Sequence, residues 1–206
     1  MEKAEKPSRP RGRPRSFDRE AALDQAMRLF WRHGYEATSI SELALAMNIN
    51  APSLYAAFGD KQALFLETIQ RYQNGTGSFA ARALQESPTA EAAVRRTLMD
   101  AARELTNPAM PPGCMVVGSA LNTSKDSESV AQALVAMRRA GEAAILERLT
   151  RAQREGDLPK SAHVKALAAY VTTVLQGMTI KAKDGATRRE LEAIAVQAME
   201  GWPKAD

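Results

Sequence analysis

The side chains with the most chemical capacity in this sequence are spaced for binding polyanions rather than for making bonds. Pro10-Arg11-Gly12-Arg13-Pro14, followed by Arg15, alternates guanidinium groups with prolines that keep a chain extended and a glycine that lets the backbone approach closely. Such a run suits the deep negative potential of a narrow A·T minor groove, in the manner of an AT-hook. Farther along, the ammonium of Lys61 suits a phosphate. Lys61 is informative by position. It falls in the first turn of a predicted helix, where a cation opposes the helix dipole, and a phosphate passing that helix end reverses the penalty.

The groups that enzymes use are sparse. Cys114 is the single cysteine, and the two histidines, His33 and His163, lie far apart. There is thus no disulfide framework, no second thiol to resolve a disulfide, no metal-ligand spacing and no phosphate-binding glycine loop. The expectation is no catalytic residue, no metal and no cofactor, which leaves a helical thiol oxidoreductase as a remote alternative. Cys114 itself follows Pro111-Pro112-Gly113 at the start of a helix. It is either a sensor of oxidants or electrophiles, its thiol acidified by the helix dipole, or a buried and inert core residue.

The elements that must position these groups are helices. From Asp18 onward apolar residues recur at intervals of three and four, with no strict alternation long enough for a strand, so the fold class is all-α. Leu23, Met27 and Phe30 mark the inner face of a first helix that Gly34 ends. Ser39 with Glu42 is a capping box opening a second, two-turn helix whose inward face is Ile40, Leu43, Ala44 and Met47. Asn50 caps a third, with Pro52 in its first turn, and Asp60 caps a long fourth running from Lys61 towards Leu84, kinked or interrupted at Asn74-Gly75-Thr76-Gly77. Beyond these, helices are predicted at 89–105, 113–121, 128–155, 161–183 and 187–201, about nine in all.

The charge is as localised as the motifs. Lys3, Lys6, Arg9, Arg11, Arg13 and Arg15 face only Glu2 and Glu5 in the opening stretch, so the formal net charge of +4 sits there and the rest of the chain is balanced. Two very short helices joined by a tight turn, between longer ones, is the arrangement that presents the second short helix to the DNA major groove.

At this point the residues resemble the TetR/AcrR family of regulators. The resemblance is carried by Ala26-Met27-Arg28-Leu29-Phe30, by Gly34-Tyr35-Glu36-Ala37-Thr38-Ser39-Ile40, and above all by the block from Ala51-Pro52-Ser53-Leu54-Tyr55 through Phe58-Gly59-Asp60-Lys61 to Leu64. One departure is Asn48, where the family has glycine in the turn; asparagine is the next best residue for a left-handed conformation. The resemblance implies that the helix Ala51 to Phe58 reads bases. Leu54 and Phe58, with Ile49, belong to the core, which leaves Ala51, Pro52, Ser53, Tyr55, Ala56 and Ala57 for the groove. That set is uncharged, so readout rests on thymine methyls and hydroxyl hydrogen bonds. Carried over from matching positions, Thr38, Ser39, Ser53, Tyr55 and Lys61 touch phosphates or bases.

The resemblance further implies a repressor of double-stranded operator DNA that acts as a homodimer and is released by a small-molecule effector. An architectural A·T-rich DNA binder without an effector is the competing reading. The expected division is a basic arm at 1–15, a helix-turn-helix domain at 16–62, and a helical ligand-binding and dimerisation domain at 63–206. In the last, Met99, Cys114, Met115 and Met137 line an apolar cavity or are plain core. Small residues on the final helices, Ala169, Thr173, Gly177 and Ala198, with Trp202, form a dimer interface or ordinary intrachain packing. No apolar run approaches the roughly 18–20 residues needed to span a bilayer, and Met1 to Arg15 is unlike a signal peptide. The expectation is a cytoplasmic protein without membrane contact.

Overall fold

A computed structural model describes residues 17–119 and 124–203. Helices α1 (Arg19–His33), α2 (Ile40–Ala46), α3 (Ala51–Phe58) and α4 (Lys61–Asn74) form the head. Then follow α5 (Phe79–Glu86), α6 (Ala90–Leu105), α7 (Met115–Gly118), α8 (Glu128–Glu155), α9 (Val164–Lys183) and α10 (Arg188–Glu200). No strand occurs among the described residues, and none of the helices there is long and apolar enough to cross a membrane.

The head is built by local chemistry. Asp18, Ser39, Asn50 and Asp60 each sit in an extended conformation and accept a backbone N–H of the following turn, satisfying donors that a helix start otherwise leaves unpaired. The Ser39–Glu42 capping box is complete in both directions. Asn48 takes a positive φ of 53°, as the turn between α2 and α3 demands.

The fourth helix is interrupted at the expected Asn74-Gly75-Thr76-Gly77 run and so becomes two helices, which makes ten among the described residues rather than nine. Gly75 ends α4 by donating to Arg71 and Tyr72 carbonyls, a 3₁₀ turn spans Thr76–Ser78, and α5 begins at Phe79. Gly77 makes the break possible: a Cβ there would lie 2.5 Å from Cε1 of Tyr72, so only glycine lets this turn close over that ring. The expected helix at 113–121 is also shorter, with α7 a single turn from Met115 to Gly118.

Two apolar clusters fill the interior. The first joins Phe30, Trp31, Leu43, Leu54, Phe58, Leu64 and Phe65 of the head to Tyr72, Met115, Val116, Val130 and Leu134. Edge-on aromatic pairs, Phe30–Phe65 at 5.0 Å and Trp31–Tyr72 at 4.7 Å, tie α1 to α4. The second cluster packs α5, α6, α8, α9 and α10 together. Cys114 packs against both.

Candidate functional site

Helix α3 owes its outward face to which of its residues the core takes. Leu54 and Phe58 point into the first cluster, so Pro52, Tyr55 and Ala56 are left exposed and Ala51, Ser53 and Ala57 partly exposed. Tyr55 is half exposed, at 50%. Helix α3 presents no ionisable group except this phenol, so it offers methyls, a ring and a hydroxyl to whatever it meets.

Lys61 stands beside this face at the start of α4. Its ammonium lies 4.3 Å from the centre of the Tyr35 ring, a cation–π contact. Partial burial lowers its pKa from the usual lysine value, while the carboxylates of Glu36 and Glu42 work in the opposite direction. The Tyr35 phenol, raised by burial and then by Asp60 and Glu36, stays neutral. Ser39 is exposed near the same edge, with its hydroxyl 2.7 Å from Glu42 Oε2.

Thr38 requires a correction. Its side chain is buried and its hydroxyl donates to the Gly34 carbonyl at 2.7 Å, so it locks the turn before α2 instead of pointing towards a phosphate. Most head arginines are likewise occupied. Arg19 grips both carboxylate oxygens of Glu67 at 2.6 and 2.8 Å and covers the Phe58 ring. Arg71 bridges to Asp24 and Glu20 across an open cleft between α1 and α4, and Arg28 donates to the Ala109 carbonyl at 2.7 Å. The expected arm contacts, Arg11, Arg13 and Arg15, lie outside the described residues.

In the body, a cavity of about 340 Å³ opens between α5 and α8. Cys114 and Met137 line it, as expected, together with Tyr72, Leu84, Val117 and Thr172. Met115 does not: it is fully buried in the first cluster. Met99 packs against the second cluster and is not on the cavity wall. Tyr72 was missed as a wall residue, because spacing marked it as the inner face of α4 and did not show that Phe79 and Ala80, beyond the break, share its wall. Burial, with the Cys114 thiol alongside, pushes the Tyr72 phenol well above its ordinary pKa, so that wall is uncharged there.

The outer face of α9 is formed by Ala169, Tyr170, Thr173, Gly177 and Ile180, all exposed. A Cβ built at Gly177 would meet nothing within 4 Å, so packing within this chain does not require a glycine there. Val196 of α10 is 52% exposed and Ala198 partly so, while Trp202 is buried in the second cluster rather than offered outward.

Comparison with known proteins matches this geometry end to end. Residues 22–68 match the model of bacterial regulatory proteins, tetR family, and residues 90–198 match the tetracyclin repressor-like C-terminal domain. The HTH-type transcriptional repressor ComR of Escherichia coli (strain K12) is 36% identical over 195 residues, covering 94% of this chain and 93% of that protein. The HTH-type transcriptional repressor BdcR of the same organism is 31% identical, covering 95% and 94%. Among solved structures, a cysteine-substituted variant of the TetR family regulator CifR, complexed with a 26-base-pair double-strand operator, is similar with a TM-score of 0.90. It is 39% identical and the alignment covers 93% of this chain and all of that one.

Proposed function

The chain belongs to the TetR family of bacterial transcriptional regulators, and from that premise we propose that it is a homodimeric repressor that a small molecule releases from operator DNA. The observation that carries the reading is the pairing of an outward, uncharged α3 face with Lys61 at the neighbouring helix start. The helix face meets thymine methyls and base-edge acceptors in the major groove, and the ammonium meets a backbone phosphate. Ser39, Ser53 and Tyr55 add hydroxyl contacts, and Ala51, Pro52, Ala56 and Ala57 supply shape. Thr38 serves by holding the turn.

In this reading residues 1–15 are a basic arm, with Arg11, Arg13 and Arg15 in the flanking minor groove, residues 16–62 the reading head, and residues 63–206 the sensing and pairing body. Since the head spends Arg19, Arg28 and Arg71 internally, the arm supplies the electrostatic attraction that the head lacks. The cavity between α5 and α8 receives an uncharged, largely apolar effector. The exposed stripe of α9, continued by Val196, is the surface that pairs with a second copy. The work is that of a cytoplasmic DNA-binding protein without catalysis.

Footprinting on the intergenic DNA upstream of its own gene tests the proposal. A repressor protects a near-palindromic site with half-sites about 34–36 Å apart, or a multiple of it. It also prefers that site to random duplex by about 10³-fold or more. Uniform protection without preference is the outcome for an architectural A·T binder and would refute the reading.

A further inference from the structure

Residues 113–119 touch both the cavity and the DNA-reading head, and Ser124 and Ser129 touch the head as well. On the cavity side, Cys114, Val116 and Val117 form part of the wall, and Arg138 of α8 donates to the Val116 carbonyl at 3.2 Å. On the head side, Trp31 Nε1 donates to the Gly113 carbonyl at 3.1 Å and the Tyr35 amide to the Ser119 carbonyl at 3.0 Å. Gly34 allows the second approach, because a Cβ there would lie 3.1 Å from Ser119 O at a φ of +82°. Ahead of α8, the Ser124 amide and hydroxyl both donate to Glu36 Oε1, at 2.8 and 2.9 Å. Ser129 then reaches Gln62 at 2.9 Å.

Tyr35 is also the shelf on which Lys61 rests, and Glu36 is its neighbour in the chain. The ammonium rests on the Tyr35 ring and is drawn electrostatically to the Glu36 carboxylate. Hydrogen bonds from Ser127 and Ser124, with the charge of Lys61 adding to them, keep Glu36 ionised below its usual carboxylate range.

We infer that Glu36 is a positioning residue: gripped by Ser124 ahead of α8 and joined in the chain to Tyr35, whose ring carries Lys61, it couples occupancy of the cavity to the placement of that lysine. A ligand pressing on Val116 and Val117 displaces α7 and the start of α8. The pull passes through Ser119 and Ser124 to Tyr35 and Glu36, and the shelf under Lys61 shifts with them. Coupling of this kind needs contacts that both ends bias, and this run of hydrogen bonds is such a set. The inference rests on the reading of Lys61 as a phosphate contact.

The test uses the full-length protein and its footprinted operator, with Val117→Phe as a built-in cavity filler. We expect Val117→Phe to weaken operator binding by about tenfold, within the range usual for allosteric coupling. Ser124→Ala alone should bind within about threefold of wild type, and the Val117→Phe, Ser124→Ala double variant should recover to about the same level, the non-additivity that marks coupled sites. Glu36→Ala in place of Ser124→Ala should also abolish the response to the filler. Hydrogen exchange adds a readout that simple loss of packing would not localise: the Tyr35 amide should exchange faster in Val117→Phe. If circular dichroism shows that Val117→Phe is unfolded, an N-ethylmaleimide adduct at Cys114, the single cysteine, supplies the bulk instead.

A filler that leaves operator binding unchanged, a thiol that takes no adduct because the wall is closed, or equal weakening with and without Ser124 would each overturn the inference. Lys61→Ala separates the two claims. Defective binding by Lys61→Ala with an uncoupled filler leaves the functional reading standing and removes only Glu36, whereas wild-type binding by Lys61→Ala removes the reading itself.

Discussion

The head and the body of this molecule are stabilised in different ways. Each of the four head helices begins at a side-chain cap, whereas α7, α8 and α9 begin without one. The head core is closed at Phe30, Leu43, Leu54, Leu64 and Phe65, all at 0% exposure, and the cleft it leaves between α1 and α4 is lined largely by polar side chains such as Glu20, Asp24, Glu67 and Arg71. The body keeps an open cavity and a buried arginine, Arg148, whose Nη2 reaches the Ser87 and Pro88 carbonyls while Nε and Nη1 find no protein partner. A reading instrument must hold one geometry, and local capping with a packed aromatic core gives it that. A sensing body needs a second arrangement within reach, and a cavity walled in part by α7, α8 and α9, none of them opened by a side-chain cap, leaves room for one.

The largest expected effect comes from the basic residues that precede the head in the sequence. Deleting residues 1–15 removes all of the net charge, and if about 2–4 basic groups per arm meet phosphates, the slope of log affinity against log salt becomes shallower by about 4–7 units. Arg11→Ala with Arg13→Ala should also erase a preference for A·T pairs flanking the half-sites while leaving the half-site sequence unchanged. A truncated dimer that keeps both its slope and its flank preference would leave the arm as a mere tail.

Core substitutions sharpen the contrast directly. Leu54→Ala empties a closed position and should cost about 2–5 kcal/mol in a denaturant titration. Leu175→Ala, on a wall already bordering open space, should cost about 2 kcal/mol or less, because part of its contact is absent to begin with. Equal losses would mean that the body is as tightly specified as the head.

Two smaller effects follow in the body. Gly177→Glu places a charge on the α9 stripe without touching the chain's own interior, so sedimentation should show a weakened dimer while helicity is unchanged; an intact dimer would move the pairing surface elsewhere. Cys114→Ser should leave basal operator binding unaltered. If wild type but not Cys114→Ser is released by peroxide or a quinone, Cys114 is a sensor, and equal release of both leaves it as cavity wall.

The same division governs how much was legible in the sequence. Caps, the Asn48 turn and the Leu54/Phe58 spacing are local signals, and the structure bears them out at those residues. The break at Asn74-Gly75-Thr76-Gly77 was also legible, whereas the inward turn of Thr38 depends on the Gly34 carbonyl four residues back, which spacing does not record. Met115 and Met99 carry the same apolar signal as Met137, yet only Met137 reaches the cavity. Which side of a helix faces open space is decided by the helices packed on the other side. Glu36 was visible within the Gly34-Tyr35-Glu36 run, but its partner Ser124 is 88 residues away.

The central claim is that α3 and Lys61 together meet the operator. The direct measurement is fluorescence anisotropy of the footprinted duplex against Tyr55→Ala and Lys61→Ala, each paired with circular dichroism and dimer mass. The account predicts that both variants lose operator binding while helicity and dimer mass match the wild type, because neither side chain supports the core. Wild-type affinity in both variants would contradict it.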